Sequence, residues 1–132
     1  MFEPLRNPEP DAPPSGRIIP ALAALVRPER MTALMACCAE LSDLAGLSAS
    51  EIVLRHGGGL VLVEQGVTGY DQVILTLAVE RPNTAVIVIS DQLPGHMVRA
   101  LMKMDASDIV PASAGVEEII DVAEQLRETQ SI

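Results

Sequence analysis

Three short sequences stand where an α/β domain does its chemistry: Glu64-Gln65, Ser90-Asp91 and Pro111-Ala112-Ser113. They close the apolar β-type runs Gly58–Gln65, Thr84–Ser90 and Asp108–Pro111. A parallel sheet presents its functional groups at the carboxyl ends of its strands. A carboxylate there suits phosphoryl transfer, given a divalent ion and a lysine to neutralise the developing charge. No lysine, histidine or paired aspartate accompanies these three sequences, so catalysis is not expected. His56 and His96 do not end a strand, which argues against a small α/β enzyme built on either. Cys37 and Cys38 are adjacent and have no other cysteine to pair with. They read as small core or half-buried residues on a helix, in a reducing compartment. Neither histidine has ligand spacing to them, so no metal or cofactor is expected.

The elements that carry these residues follow from punctuation and period. Residues 1–16 form a proline-rich leader without periodicity, and residues 129–132 read as the start of a linker. A domain over residues 17–128 lies between. Ala23–Val26 reads as the first strand and Pro28–Leu41 as the first helix, with Met31, Leu34, Met35, Cys38 and Leu41 at helical spacing. Leu44–Leu47 reads as a short second strand. Ser48 and Glu51 have capping-box spacing and open a helix over Ala49–His56. Gly57-Gly58-Gly59 stops that helix with a left-handed cap. These glycines precede a strand, whereas a phosphate cradle follows one and opens a helix, so they are not read as a phosphate loop.

Leu60–Val63 is apolar enough to be buried on both faces. Tyr70–Glu80 is a helix stopped by Pro82. Ala85–Ile89 is the next strand, Pro94 opens the fourth helix, and Ile109-Val110 is the last strand. Ser113 is placed to cap the final helix, with Glu117-Glu118 in its first turn. Strict alternation of strand and helix predicts an α/β fold with a parallel, helix-covered sheet.

Composition narrows the function. Aromatic residues are 2% of the chain and apolar residues 48%, so the core must be aliphatic. Base stacking is nearly excluded, and a net charge of −9 repels nucleic-acid backbones. No apolar run is long enough for a transmembrane helix, and no signal-peptide core is present. The expectation is a cytoplasmic protein with neither nucleic-acid binding nor membrane insertion.

From about Ala21 to Leu126 the chain resembles the receiver domain of two-component response regulators. The segment LVLVEQGVTGYD is similar to the family's third strand and following loop, and MDASDIVPAS to its last strand. The resemblance implies a CheY-like (flavodoxin-like) doubly wound sheet of five parallel strands, ordered 2-1-3-4-5. It places Glu64 at the phosphoacceptor aspartate, Ser90 at the switch serine or threonine, and Ile109 at the switch aromatic. Ala112 stands at the conserved-type lysine, and Arg27-Pro28 at the metal-binding acidic pair.

These departures imply a receiver that takes up no phosphoryl group. The acidic pair supplies most of a divalent ion's oxygen ligands, and the lysine supplies the counter-charge to the acyl phosphate. Glutamate also displaces its carboxylate by about 1.5 Å, a shift that costs large factors in rate. Glu64 is expected to act as a permanent anion paired with Arg27. Ser90 either bonds Glu64 or caps the local turn. The alternative function is a working phosphorelay receiver using Glu64 or Asp71.

The segment VIVISDQLPGHMVRALMKMDASDIVP is most similar to the atypical receiver at the N-terminus of CpaE/TadZ-type proteins. That resemblance implies a localisation module of Tad/Flp-type pilus assembly, placed at the cell pole. It also implies a ParA/MinD-like ATPase beyond Ile132, since these residues contain no P-loop. The partner would be another protein or a second copy of the chain. The candidate interaction face joins the fourth helix, last strand and fifth helix, with Met97, Leu101, Met104, Val110 and Glu118. Its methionines are read either as exposed contact area or as inward packing.

Overall fold

The computed structural model describes residues 21–38 and 40–130. The leader expected over residues 1–16 and the last two residues of the expected linker lie outside them. Ten elements alternate: β1 (Leu22–Leu25), α1 (Pro28–Met35), β2 (Leu41–Asp43), α2 (Ala49–His56), β3 (Leu60–Glu64), α3 (Tyr70–Glu80), β4 (Ala85–Ile89), α4 (Gly95–Leu101), β5 (Ala106–Val110) and α5 (Val116–Gln130). The strands pair in parallel in the order β2-β1-β3-β4-β5. This is the CheY-like doubly wound sheet that the alternation and the resemblance imply.

Side chains alternate across each strand, and this alternation sorts the core into two layers. Leu60, Leu62, Ala85, Ile87 and Ile89 pack with Leu34 of α1 and Ile119 and Ile120 of α5. Val61, Val63, Val86 and Val88 pack with Ile52, Ile74, Leu77 and Met97 of α2, α3 and α4. Both central strands, β3 and β4, are buried along their whole length. Each fully buried aliphatic side chain contributes about 1.5–3 kcal/mol over an exposed one. Tyr70 touches only the margin of the second layer, so both cores are aliphatic.

Capping and turn chemistry fix the joints. The Glu51 N–H donates to Ser48 Oγ at 3.2 Å and the Ser48 N–H to Glu51 Oε1 at 3.3 Å, closing the expected capping box. Gly57 is the C-cap of α2, but with φ −59 it is not left-handed. The left-handed residue is Gly58, at φ +87. A Cβ on Gly58 would lie 2.8 Å from Arg81 Nη2, so glycine there permits both the turn and the arginine above it. Thr84 is fully buried and satisfied: Oγ1 accepts from the Gly58 N–H and donates to the Arg81 carbonyl, each at 2.7 Å. It ties the approach to β3 to the approach to β4.

The first half departs from the sequence reading. α1 ends at Met35, not Leu41, because the N–H groups of Cys37 and Cys38 both turn back to the Leu34 carbonyl. β2 is Leu41–Asp43, not Leu44–Leu47. As an edge strand it is only half-buried or exposed, so no apolar run marks it. Leu44 is fully buried, but it lies one residue past the strand, its N–H bonded to the Ala24 carbonyl at 2.9 Å.

Smaller shifts occur later. β5 begins at Ala106. The Ile119 N–H bonds the Gly115 carbonyl, so α5 starts two residues beyond the position that Ser113 needs to cap it. α5 then continues through Gln130, past the expected start of the linker at 129.

Cys37 is exposed in the turn after α1, and only Cys38 is a core residue. Burial pushes the Cys38 thiol above its ordinary range, and the neighbouring Cys37 adds to the shift. Cys38 is therefore a poor nucleophile at neutral pH. Among the described residues, no helix is long and apolar enough to cross a membrane.

Candidate functional site

The alternation that builds the core also aims the residues at the strand ends. Glu64 continues the row of Leu60 and Leu62, so it faces the layer covered by α1 and α5. It is only 4% exposed. A buried carboxylate requires a cation and hydrogen bonds. Arg30, in the first turn of α1, supplies most of both. Its Nε donates to Glu64 Oε1 at 3.0 Å and its Nη2 to Oε2 at 3.4 Å. The Arg30 side chain is 17% exposed, so this is a largely desolvated pair.

Arg27 contributes in a different way. Its backbone N–H, at the N-cap of α1, donates to Glu64 Oε1 at 3.1 Å. Its side-chain Nε lies 3.5 Å from Oε2 and is 58% exposed, so this ion pair is solvent-screened. The expected Arg27–Glu64 pairing is present, but Arg30 is the dominant partner and the sequence reading missed it. Pro28, at the first helical position, sets the approach of α1. Gly66, at φ +101, leaves room for the Arg27 guanidinium, since a Cβ there would lie 2.9 Å from Nη2.

Arg30 reaches further. Its Nη2 donates to the Ala112 carbonyl at 2.9 Å and its Nη1 to the Ala114 carbonyl at 3.1 Å. Ala112, which the resemblance sets at the lysine position, therefore takes part through its backbone. Its N–H donates to Asp91 Oδ1 at 2.9 Å. One peptide segment is thus held from α1 on one side and from the β4–α4 loop on the other.

Ser90 does not bond Glu64. It is next after Ile89, so the alternation turns it toward the opposite layer, together with Gln65. Ser90 Oγ donates to Gln65 Oε1 and accepts from the Gln92 N–H at 3.1 Å. The turn-capping reading holds, joined by a Gln65 contact that the sequence reading did not anticipate.

These residues border a cleft of about 670 Å³ at the carboxyl end of the sheet, lined among others by Arg27, Arg30, Glu64, Gln65, Ser90 and Ala112. Glu29 and Asp91 are the other carboxylates on its wall. The donor set does not fit the divalent ion that the receiver resemblance implies. Both Glu64 oxygens are engaged by arginine, and Asp91 Oδ1 is bonded to the Ala112 N–H. Among the described residues, no group of three or more His, Cys, Asp or Glu side chains could hold a metal ion.

The candidate interaction face needs correction. Met97, Leu101, Met104 and Val110 are all buried, at 0%, 3%, 7% and 3% exposure. They pack beneath α4 and α5 and offer no contact surface. Met102, at the C-cap of α4, is 77% exposed, and Ile109 on β5 is 40% exposed. Glu118 is exposed, as are Arg99, Lys103 and Glu117. Ile109 does not line the cleft. Comparison with protein-family models, curated proteins and solved structures finds no match to this chain.

Proposed function

We propose that this domain is a pseudo-receiver, a receiver-like scaffold that takes up no phosphoryl group and works by docking a protein partner or a second copy of itself. One observation carries the reading: the carboxylate at the end of β3 is buried and already neutralised by Arg30. Among the described residues, a phosphoryl donor at the end of β3 meets a carboxylate already held by arginine, no lysine and no ligand set for a divalent ion. The docking role is supported by Met102, at the C-cap of α4, and Ile109, on β5, which expose apolar area, while Arg99, Lys103, Glu117 and Glu118 are exposed as well. The likeness of VIVISDQLPGHMVRALMKMDASDIVP to CpaE/TadZ-type receivers extends the proposal. It names a cytoplasmic localisation module of Tad/Flp-type pilus assembly, followed in the full protein by a ParA/MinD-like ATPase.

Two measurements test this. Treatment with acetyl phosphate and magnesium should leave the intact mass unchanged; a phosphoryl group on Glu64 or Asp71 would restore the working-receiver reading. For docking, Met102 and Ile109 are the informative positions, because a charge at Met104 would disrupt the core. If the partner is a second copy, light scattering should give a dimer that Ile109→Glu weakens at least about tenfold, the loss of one well-packed apolar contact. A monomer at every concentration, unaffected by the substitution, removes self-docking.

A further inference from the structure

The hydrogen bonds on Ala112 have a function of their own. Its carbonyl is held by Arg30 Nη2 and its N–H by Asp91 Oδ1. Arg30 is anchored in turn to Glu64 at the end of β3 and to the Ala114 carbonyl. Asp91 lies four residues before Gly95, where α4 begins, and its neighbour Ser90 is fastened to Gln65 and to the Gln92 N–H. The backbone of one residue, through the peptide groups on its two sides, therefore connects α1, β3, the β5–α5 loop and the loop that launches α4.

We infer that the Ala112 backbone is an internal brace that holds α4 and the β5–α5 loop in one arrangement, so that Arg30 and Asp91 set the shape of the docking face from within. The inference rests on the reading of Glu64 as a carboxylate occupied by Arg30, and it adds how that occupancy is transmitted. Arg30 fills the place of a ligand: a planar guanidinium meets the carboxylate and two carbonyl oxygens at once, which the single ammonium of lysine cannot do in that geometry. With the Glu64 carboxylate taken up by Arg30, a cation or phosphoryl group finds no free carboxylate there through which to favour one arrangement over another. The face is then presented constitutively.

Hydrogen–deuterium exchange on the whole chain tests the brace with two variants. Asp91→Ala cuts one end of it at an exposed residue and leaves the buried pair intact. Arg30→Lys keeps a positive charge beside Glu64 and gives up the carbonyl contacts. Both should speed exchange of the amides at 112–116 about tenfold, the loss of one charge-assisted hydrogen bond. Asp91→Ala should also speed the first turn of α4, at 95–98. Unchanged α4 rates in a folded Asp91→Ala protein would overturn the coupling, and unchanged loop rates in that variant would overturn the brace itself. If Arg30→Lys does not fold, Asp91→Ala decides alone. A separate magnesium and beryllofluoride titration of the unaltered protein addresses the occupied carboxylate. A response there would sink that reading, and the exchange rates would still decide whether the loops are tied.

Discussion

Arg30→Ala is expected to lower the free energy of unfolding by about 3 kcal/mol, the low end for removing one partner of a buried ion pair. The cost arises because Glu64 stays buried without its main counter-charge, while the Ala112 and Ala114 carbonyls lose their donor. For a domain of this size the loss corresponds to a fall in melting temperature of roughly 10–15 °C. Arg27 does not compensate, since its guanidinium is more than half exposed and its screened pair is worth under about 1 kcal/mol. Arg27→Ala should accordingly be mild. Replacing both charges, as in Arg30→Met with Glu64→Leu, should recover much of the loss, because an apolar pair avoids the desolvation cost. Urea unfolding of the four proteins reads all of this. An Arg30→Ala protein within about 1 kcal/mol of the parent, or less damaged than Arg27→Ala, would show that the pair is not the anchor of the site.

Leu62→Ala should be as damaging, by about 3–4 kcal/mol. Leu62 is fully buried in the middle of β3, paired in register with Ala24 on one side and Ile87 on the other. Its two register neighbours are a small residue, Ala24, and a stiff β-branched one, Ile87. Among the described residues of this layer no aromatic ring is at hand to tilt into the gap, so little relaxation is expected. Against a total stability of roughly 5–15 kcal/mol, such a loss is a large fraction. Leu54→Ala is the control, because Leu54 is 81% exposed on α2 and should change stability by less than about 0.5 kcal/mol. A Leu62→Ala effect under about 1.5 kcal/mol, measured by chemical denaturation, would mean that the layer collapses around the gap and the core is not rigidly packed.

Most of the fold is legible in the residues. The apolar runs of β3 and β4, the Ser48–Glu51 box and Pro82 fix elements whose local chemistry agrees with their surroundings. β2 is illegible because it is an edge: Ser42 and Asp43 face solvent, and nothing in their types distinguishes a strand from a loop. α1 reads too long because Cys38 and Leu41 keep helical spacing after the chain has left the helix; their burial comes from the turn and the edge strand. The site is half legible. Glu64 at the end of an apolar run signals a buried carboxylate in need of a cation, and strand alternation points it toward α1. Arg30 is obscured because it lies beside the apolar stripe of Met31 and Leu34, where an arginine ordinarily points to water. The methionines in and just after α4 are undecidable by type, since Met97, Met102 and Met104 share one chemistry but only Met102 stays outside.

The outer margin of β5 has a consequence for how copies of this domain meet. The Ser90 N–H bonds the Val110 carbonyl, so Val110 faces β4 and Ile109 turns its backbone outward. The Ile109 N–H is then satisfied by Asp108 Oδ1 at 2.7 Å. A neighbouring strand that came alongside would find this donor spent and a carboxylate in its path. The sheet therefore does not extend from one molecule into the next along this margin. Copies brought together along this margin would have to meet through side chains, and a continuous cross-molecular ribbon is disfavoured.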